Sequence, residues 1–232
     1  MSTIGTALAL GFILGIKHAL EADHVVAVST IVSRDPRPLR SALAGMFWGI
    51  GHTLTLFAAG IAVLFFKVTI PDRVALSFEF LVGAVLVGLG IQNLWDYWRT
   101  RFHAHSHASG ETHTHFHTHR ESHDHHLPDR RRRSLLVGMM HGLAGSGALV
   151  LLVLGTVDSP LEGVAYILIF GLGSILGMML IGTAMAMPFS HSAQRIGGLT
   201  KRIQLLAGGV SVLVGVLVMV QIGLLGGLLT PA

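Results

Sequence analysis

The sequence predicts an all-α fold, a polytopic membrane protein whose six transmembrane helices form two inverted three-helix repeats. Three observations predict it. Apolar residues make up 51% of the 232 and charged residues only 12%, with a mean hydropathy of +0.66. A soluble domain needs far more charge than that to cover its surface. The apolar residues fall into six stretches, each near the roughly 20 residues that a membrane helix requires. Short strings in the first two stretches also return, in order, in the fourth and fifth.

The first stretch, Ile4–Val32, follows Met1-Ser2-Thr3 with no basic n-region and no clear A-x-A-type cleavage site, so it reads as a span and not as a removable signal peptide. It is longer than a straight crossing needs. Ser41–Phe66 and Val74–Trp98 are the second and third, and Ser134–Val157, Gly163–Met187 and Ile203–Leu229 complete the set. Pro36, Pro38, Pro71, Pro160 and Pro188 fall between the stretches or at their ends, where helices are expected to stop. Gly83, Gly88 and Gly90 in the third stretch, and Gly171, Gly173 and Gly177 in the fifth, suit close helix packing in a membrane.

The echo joins Gly15-Ile16-Lys17-His18-Ala19-Leu20 to Gly138-Met139-Met140-His141-Gly142-Leu143, an offset of 123. It also joins Trp48-Gly49-Ile50-Gly51-His52 to Phe170-Gly171-Leu172-Gly173-Ser174, an offset of 122. A repeat of three spans must cross the membrane in opposite directions in its two copies, a recurring transporter design with the substrate site near the midplane. The expected organisation is a first repeat over residues 1-98, a loop over 99-133 and a second repeat over 134-232.

Six spans leave both termini on one side. The loops on the other side carry Arg34, Arg37, Arg40, Arg99, Arg101, Arg120, Arg130, Arg131, Arg132, Arg133, Arg195, Lys201 and Arg202, which is 13 of the 16 basic residues. The side of the termini has only Lys67 and Arg73. By the positive-inside rule the termini face outward and the long loop is cytoplasmic, in the cell (inner) membrane. Trp95, Tyr97 and Trp98, just before Arg99, read as an interfacial aromatic belt. The pI of ≈ 10.1 is then orientation charge with some attraction to anionic lipid, and no nucleic-acid partner is expected.

Lys17, His18, Glu21, Asp23 and His24 interrupt the first stretch near its middle. One such residue at the bilayer centre costs about 2.5–3.5 kcal/mol on insertion scales, so the group cannot face lipid. Lys17 and Glu21, at i,i+4, read as an internal ion pair. His18, Asp23 and His24 are instead the ligand types that Ni2+, Co2+ and Zn2+ prefer. On a straight helix His18 and Asp23 stand about 140° apart and His18 and His24 about 120° apart, so one ion reaches all three only if the helix bends or breaks. His52, between Gly51 and Thr53, and His141, before Gly142, are further candidates, each weighed against a plain packing histidine. Asn93 and Thr53 suit helix-to-helix hydrogen bonding better than ligation. Met139, Met140, Met178, Met179, Met185 and Met187 are better read as packing side chains than as a Cu(I) site. The chain has no cysteine, which excludes disulfides and thiolate metal sites.

Residues 103–126 hold His103, His105, His107, His113, His115, His117, His119, His123, His125 and His126, mostly as H-x-H. With Ser, Thr and Gly between them they cannot build a core, and the density of imidazole reads as a cytoplasmic metal reservoir or sensor. A cytoplasmic metallochaperone is the protein partner such a loop would serve.

His18-Ala19-Leu20-Glu21-Ala22-Asp23-His24 has the H-x4-D-H form of the nickel/cobalt transporter (NiCoT) family, and the flanks Gly11–Lys17 and Val25–Val28 resemble it too. Gly51-His52-Thr53 resembles that family's G-H-S/T motif. His141-Gly142-Leu143-Ala144-Gly145-Ser146 is similar to the six-span, urease accessory protein UreH-like branch. The resemblance implies a transporter of Ni2+ or Co2+, with His18, Asp23 and His24 essential for recognition and His52 assisting. Relative to the eight-span importers two spans and an acidic F-D-T-A-T-type motif are missing, which leaves import and export both open.

No Walker motif occurs, and no H-E-x-x-H for an intramembrane zinc protease. The expectation is a secondary transporter of a divalent transition-metal ion, not an enzyme. The alternatives are an exporter of the same fold and a membrane metal-storage or accessory protein for a metalloenzyme.

Overall fold

Helices account for nearly all of residues 3–34, 37–68, 71–99, 130–142, 159–195 and 197–229, the residues that the computed structural model describes, and no strand occurs among them. In chain order they are α1 (Thr3–Ala19), α2 (Ala22–Arg34), α3 (Pro38–Phe66), α4 (Asp72–Arg99), α5 (Arg130–His141), α6 (Pro160–Arg195) and α7 (Gly197–Val220). The last runs into a π-helical turn, Gln221–Leu225. Pro38 and Pro160 open α3 and α6, where the missing N–H has no helical acceptor to lose.

Pro38–Phe66, Asp72–Arg99, Pro160–Met187 and Lys201–Leu225 are each long and apolar enough to cross a bilayer. α1 and α2, bent by 55° where they meet, are together long and apolar enough for a fifth crossing if the pair is one broken span. The protein is therefore a polytopic α-helical membrane protein. Of the fourth expected span only the part through Gly142 is described, so residues 143–158 and the His-rich segment 103–126 lie outside the described residues.

The break that the angular spacing of His18, Asp23 and His24 calls for is present. α1 closes with two short-range bonds, Leu20 N–H to the Lys17 carbonyl at 2.9 Å and Glu21 N–H to the His18 carbonyl at 3.0 Å. These tighten the last turn and satisfy carbonyls that a helix end would leave bare in a membrane. α2 restarts with Val25 N–H donating to the Glu21 carbonyl at 3.0 Å, and the Asp23 carboxylate accepts from the His24 N–H at 2.9 Å. An acceptor at a helix start is favourable because the first N–H groups have no other partner.

α6 packs against α1 and α3, α5 against α3, α4 against α7, and α2 against α6 and α7. Lipid is as apolar as leucine, so these contacts rest on close packing and interhelical hydrogen bonds more than on burial. Two crossings are nearly backbone on backbone. Where α1 meets α6, a Cβ on Gly15 would strike the Phe170 carbonyl and one on Gly173 the Phe12 carbonyl. Where α5 meets α3, a Cβ on Gly138 would strike the Trp48 carbonyl and one on Gly51 the Leu135 carbonyl. Gly83 with Gly215, and Gly90 with Gly208, bring α4 and α7 together in the same manner.

Ala19, Ala27, Trp48, Val82, Leu86 and Met178 form a buried cluster. Asn93, fully buried on α4, donates to Ser33 Oγ on α2 and to the Gln204 carbonyl on α7, both at 3.1 Å, and so ties the half-helix α2 to its neighbours. Such bonds average about 0.6 kcal/mol each in a membrane protein, enough to position a half-helix but not to hold the fold alone. Thr53 likewise donates to the Gly171 carbonyl at 3.3 Å, joining α3 to α6.

Three expectations about helix ends and edges need correction. α6 does not stop at Pro188 but continues to Arg195. Only one backbone bond is lost there, and proline is tolerated in membrane helices when neighbouring groups take up the freed carbonyl. The last helix starts earlier than expected, at Gly197, and gives up α-geometry at Val220, short of Leu229. Trp95 and Trp98 are exposed as belt residues should be, with the Arg99 guanidinium 5.5 Å from the Trp95 ring, but Tyr97 is buried.

Candidate metal site

The break brings together every residue that the sequence nominates. His18 comes from the end of α1, Asp23 and His24 from the start of α2, His52 from the middle of α3 and His141 from the end of α5. All four imidazoles are buried, and Asp23 is 28% exposed. The rings of His18 and His24 lie 4.4 Å apart, those of His18 and His52 4.7 Å, and those of His24 and His141 4.7 Å. Gly51 and Gly138 make this possible: they let α5 approach α3 closely enough to carry His141, one turn beyond Gly138, to Asp23.

For neutral rings, the polar contacts decide which nitrogen of each carries the proton. His18 Nδ1 lies 3.1 Å from the Glu21 carboxylate, which only accepts, so Nδ1 is the donor and Nε2 holds the lone pair. His52 Nε2, 2.9 Å from that lone pair, must then donate, which leaves the lone pair of His52 on Nδ1. Asp23 accepts from His24 Nδ1 at 3.0 Å through one oxygen and from His141 Nε2 at 2.9 Å through the other. The lone pairs of these two rings therefore sit on His24 Nε2 and His141 Nδ1. His24 Nε2, His52 Nδ1 and His141 Nδ1 are all buried and have no hydrogen-bond partner among the described residues. An unmet buried acceptor costs about 1–3 kcal/mol, and three of them on rings of one buried cluster suit a cation.

Two sets of donor atoms, each within 4.8 Å of one another, have the composition of a metal site: His18, His24 and His52, and Asp23, His24 and His141. Imidazole and carboxylate suit Ni2+, Co2+ and Zn2+ and offer no soft sulfur for Cu(I).

Several neighbours escaped the sequence reading. Glu21 does not pair with Lys17: the break removes the helical register that would stack them, and the carboxylate turns to His18 instead. Trp48 packs its ring 5.4 Å from that of His141, with its buried indole N–H unpartnered among the described residues, and the Phe170 ring lies 5.6 Å from His18. Trp48 and Phe170 hold equivalent positions in the internal echo, the one signal that would have nominated them.

A family profile described as "Cytochrome C biogenesis protein transmembrane region" matches residues 6–217. The urease accessory protein UreH of Bacillus sp. (strain TB-90) is 43% identical over 225 residues, covering 95% of this chain and 93% of its own. The chain belongs to this family, among its UreH-like members. A high-affinity nickel transport protein of Cupriavidus necator is 31% identical over 86 residues, which cover 36% of this chain and 23% of that one. Part of this UreH-like chain is thus similar to a nickel transport protein. No solved structure matches the chain. In this family setting the buried His/Asp cluster is a metal-binding candidate inside an integral membrane protein.

Proposed function

We propose that the protein is a secondary transporter that moves Ni2+ across the membrane through the His18, Asp23, His24, His52 and His141 cluster, with Co2+ as a second substrate. The observation that carries this reading is the set of three imidazole lone pairs, unpartnered among the described residues, on rings gathered with a carboxylate at a helix break inside the bundle. Nothing in a merely structural core requires that arrangement, and its cost is met when a cation enters. The relatives' names add nickel: one is a nickel transport protein and the other serves urease. Zn2+ fits the same donors and is the expected competitor.

The reading includes six spans in two inverted repeats, residues 1-98 and 134-232, flanking the loop 99-133. Its support is reciprocal packing. Gly15 faces Phe170 as Gly138 faces Trp48, and Gly173 faces Phe12 as Gly51 faces Leu135. Each contact becomes its counterpart when the first-half residue is advanced, and the second-half residue moved back, by 122 or 123, as an inverted repeat requires. The termini face outward and the loop faces the cytoplasm, following the basic residues, and the loop gathers ions for a metallochaperone.

The UreH relative's name favours one second reading, a membrane accessory protein that stores nickel for a metalloenzyme without moving it across. Uptake of radioactive nickel, and its efflux from loaded cells, with and without the gene, separates the two. Gene-dependent flux in either direction supports transport and tells import from export. Binding without flux supports storage.

A further inference from the structure

The donor atoms of the cluster divide into two sets that share one residue, His24. A neutral imidazole has a single lone pair. His24 can therefore ligate an ion in one set or in the other, and cannot ligate in both at once without losing its remaining proton. The sets also differ in charge. His18, His24 and His52 offer neutral donors only, whereas Asp23, His24 and His141 include a carboxylate. They draw on different helices as well, α1, α2 and α3 for the first and α2 and α5 for the second.

We propose that the cluster holds its ion at two overlapping positions occupied one at a time, a His18/His24/His52 position and an Asp23/His24/His141 position, and that the ion crosses the site by passing between them over His24. This rests on the metal-transport reading above and goes beyond it in naming a two-step path. His24 stays bound to the ion while one pair of partners replaces the other, so the ion is never stripped of all its protein ligands. The exchange needs only rotation of the His24 ring, with its lone pair kept on the ion, and rotation or tautomer change of the partner rings that are not bound at that moment, among neighbouring rings whose centroids are 4.4 to 5.4 Å apart.

The test uses Co2+ as probe, because its visible absorption reports the number and type of its ligands. The purified full-length chain carries Ser in place of the ten loop histidines and of His191, so that no histidine outside the cluster responds. His52→Ala leaves the second position whole and His141→Ala leaves the first. Each variant is expected to bind one Co2+ per chain, with spectra that differ from each other, and to lose nickel flux. His24→Ala is expected to lose tight binding altogether. Should an alanine variant elute as aggregate, His52→Gln or His141→Gln takes its place, since the amide fills the space and ligates poorly. Identical spectra from the two variants, or loss of binding in both while each remains folded, would mean one composite site and overturn the two-position path. Failure of the parent chain itself to bind Co2+ would remove the transport reading and this inference with it.

Discussion

Gly138→Ala separates positioning of the site from its chemistry, because the added methyl touches no ligand. Its Cβ would strike the Trp48 carbonyl, with the Trp48 carbonyl carbon at 2.9 Å and Cα at 3.0 Å. Ordinary contact lies near 3.5–4.0 Å, so α5 must retreat from α3 by about an ångström. His141 rides on the same turn and makes a 2.9 Å contact with Asp23 that such a shift carries past hydrogen-bonding reach. Overpacking of this kind costs about 1–3 kcal/mol. Misplacing groups that orient metal ligands costs about 10–100-fold in affinity or activity. The control is Gly88→Ala, whose Cβ meets nothing within 4 Å. Thermal unfolding in detergent and nickel flux in liposomes, measured on both variants, give the comparison. Gly138→Ala should unfold earlier and transport about 10–100-fold less, while Gly88→Ala should match the parent. Equal behaviour of the two variants would refute the claim that this crossing sets the site's geometry.

Three further outcomes follow from the same site. His18→Ala, Asp23→Ala and His24→Ala should each abolish nickel transport while the protein stays in the membrane, as membrane fractionation and flux would record; near-normal flux in any two of them overturns the ligand assignment. Flux should fall as pH drops from neutral to mildly acid with the driving force held fixed, because protons compete with the ion for neutral imidazoles and an ionised Asp23; a level profile counts against the histidine site. Deleting residues 103–126 should lower the number of nickel ions bound per chain yet preserve flux, since the loop offers weak exchangeable sites and the helix-held donors ordered ones; loss of flux with the intramembrane site still loaded would make the loop an obligatory relay.

The candidate site was legible in the sequence because ionisable residues are expensive in a membrane. His18, Asp23 and His24 stand out in an apolar stretch, and their angular spacing lets one ion reach all three only across a bend or break, such as the one where α1 meets α2. His52 and His141 are less distinctive alone, and only the fold joins them to the motif. Partner choice was not legible. Glu21 has the right spacing for Lys17, but that spacing holds only along an unbroken helix, and the break that assembles the site also cancels the pair. Pro188 misled for a related reason: a proline removes one hydrogen bond, and whether the helix survives depends on neighbours that no local pattern reveals. The glycines signalled close packing in general. Which carbonyl each one meets, Trp48 for Gly138 or Phe170 for Gly15, belongs to the tertiary structure.

Nickel flux into liposomes that contain only the purified chain tests the central claim most directly, because no metalloenzyme or chaperone is present to draw the ion. Wild-type protein should give saturable, time-dependent accumulation of Ni2+ in the lumen, and His24→Ala, folded and inserted to the same level, should give none. Wild-type liposomes that bind Ni2+ but accumulate no more in the lumen than empty ones, under gradients of either direction, would contradict it.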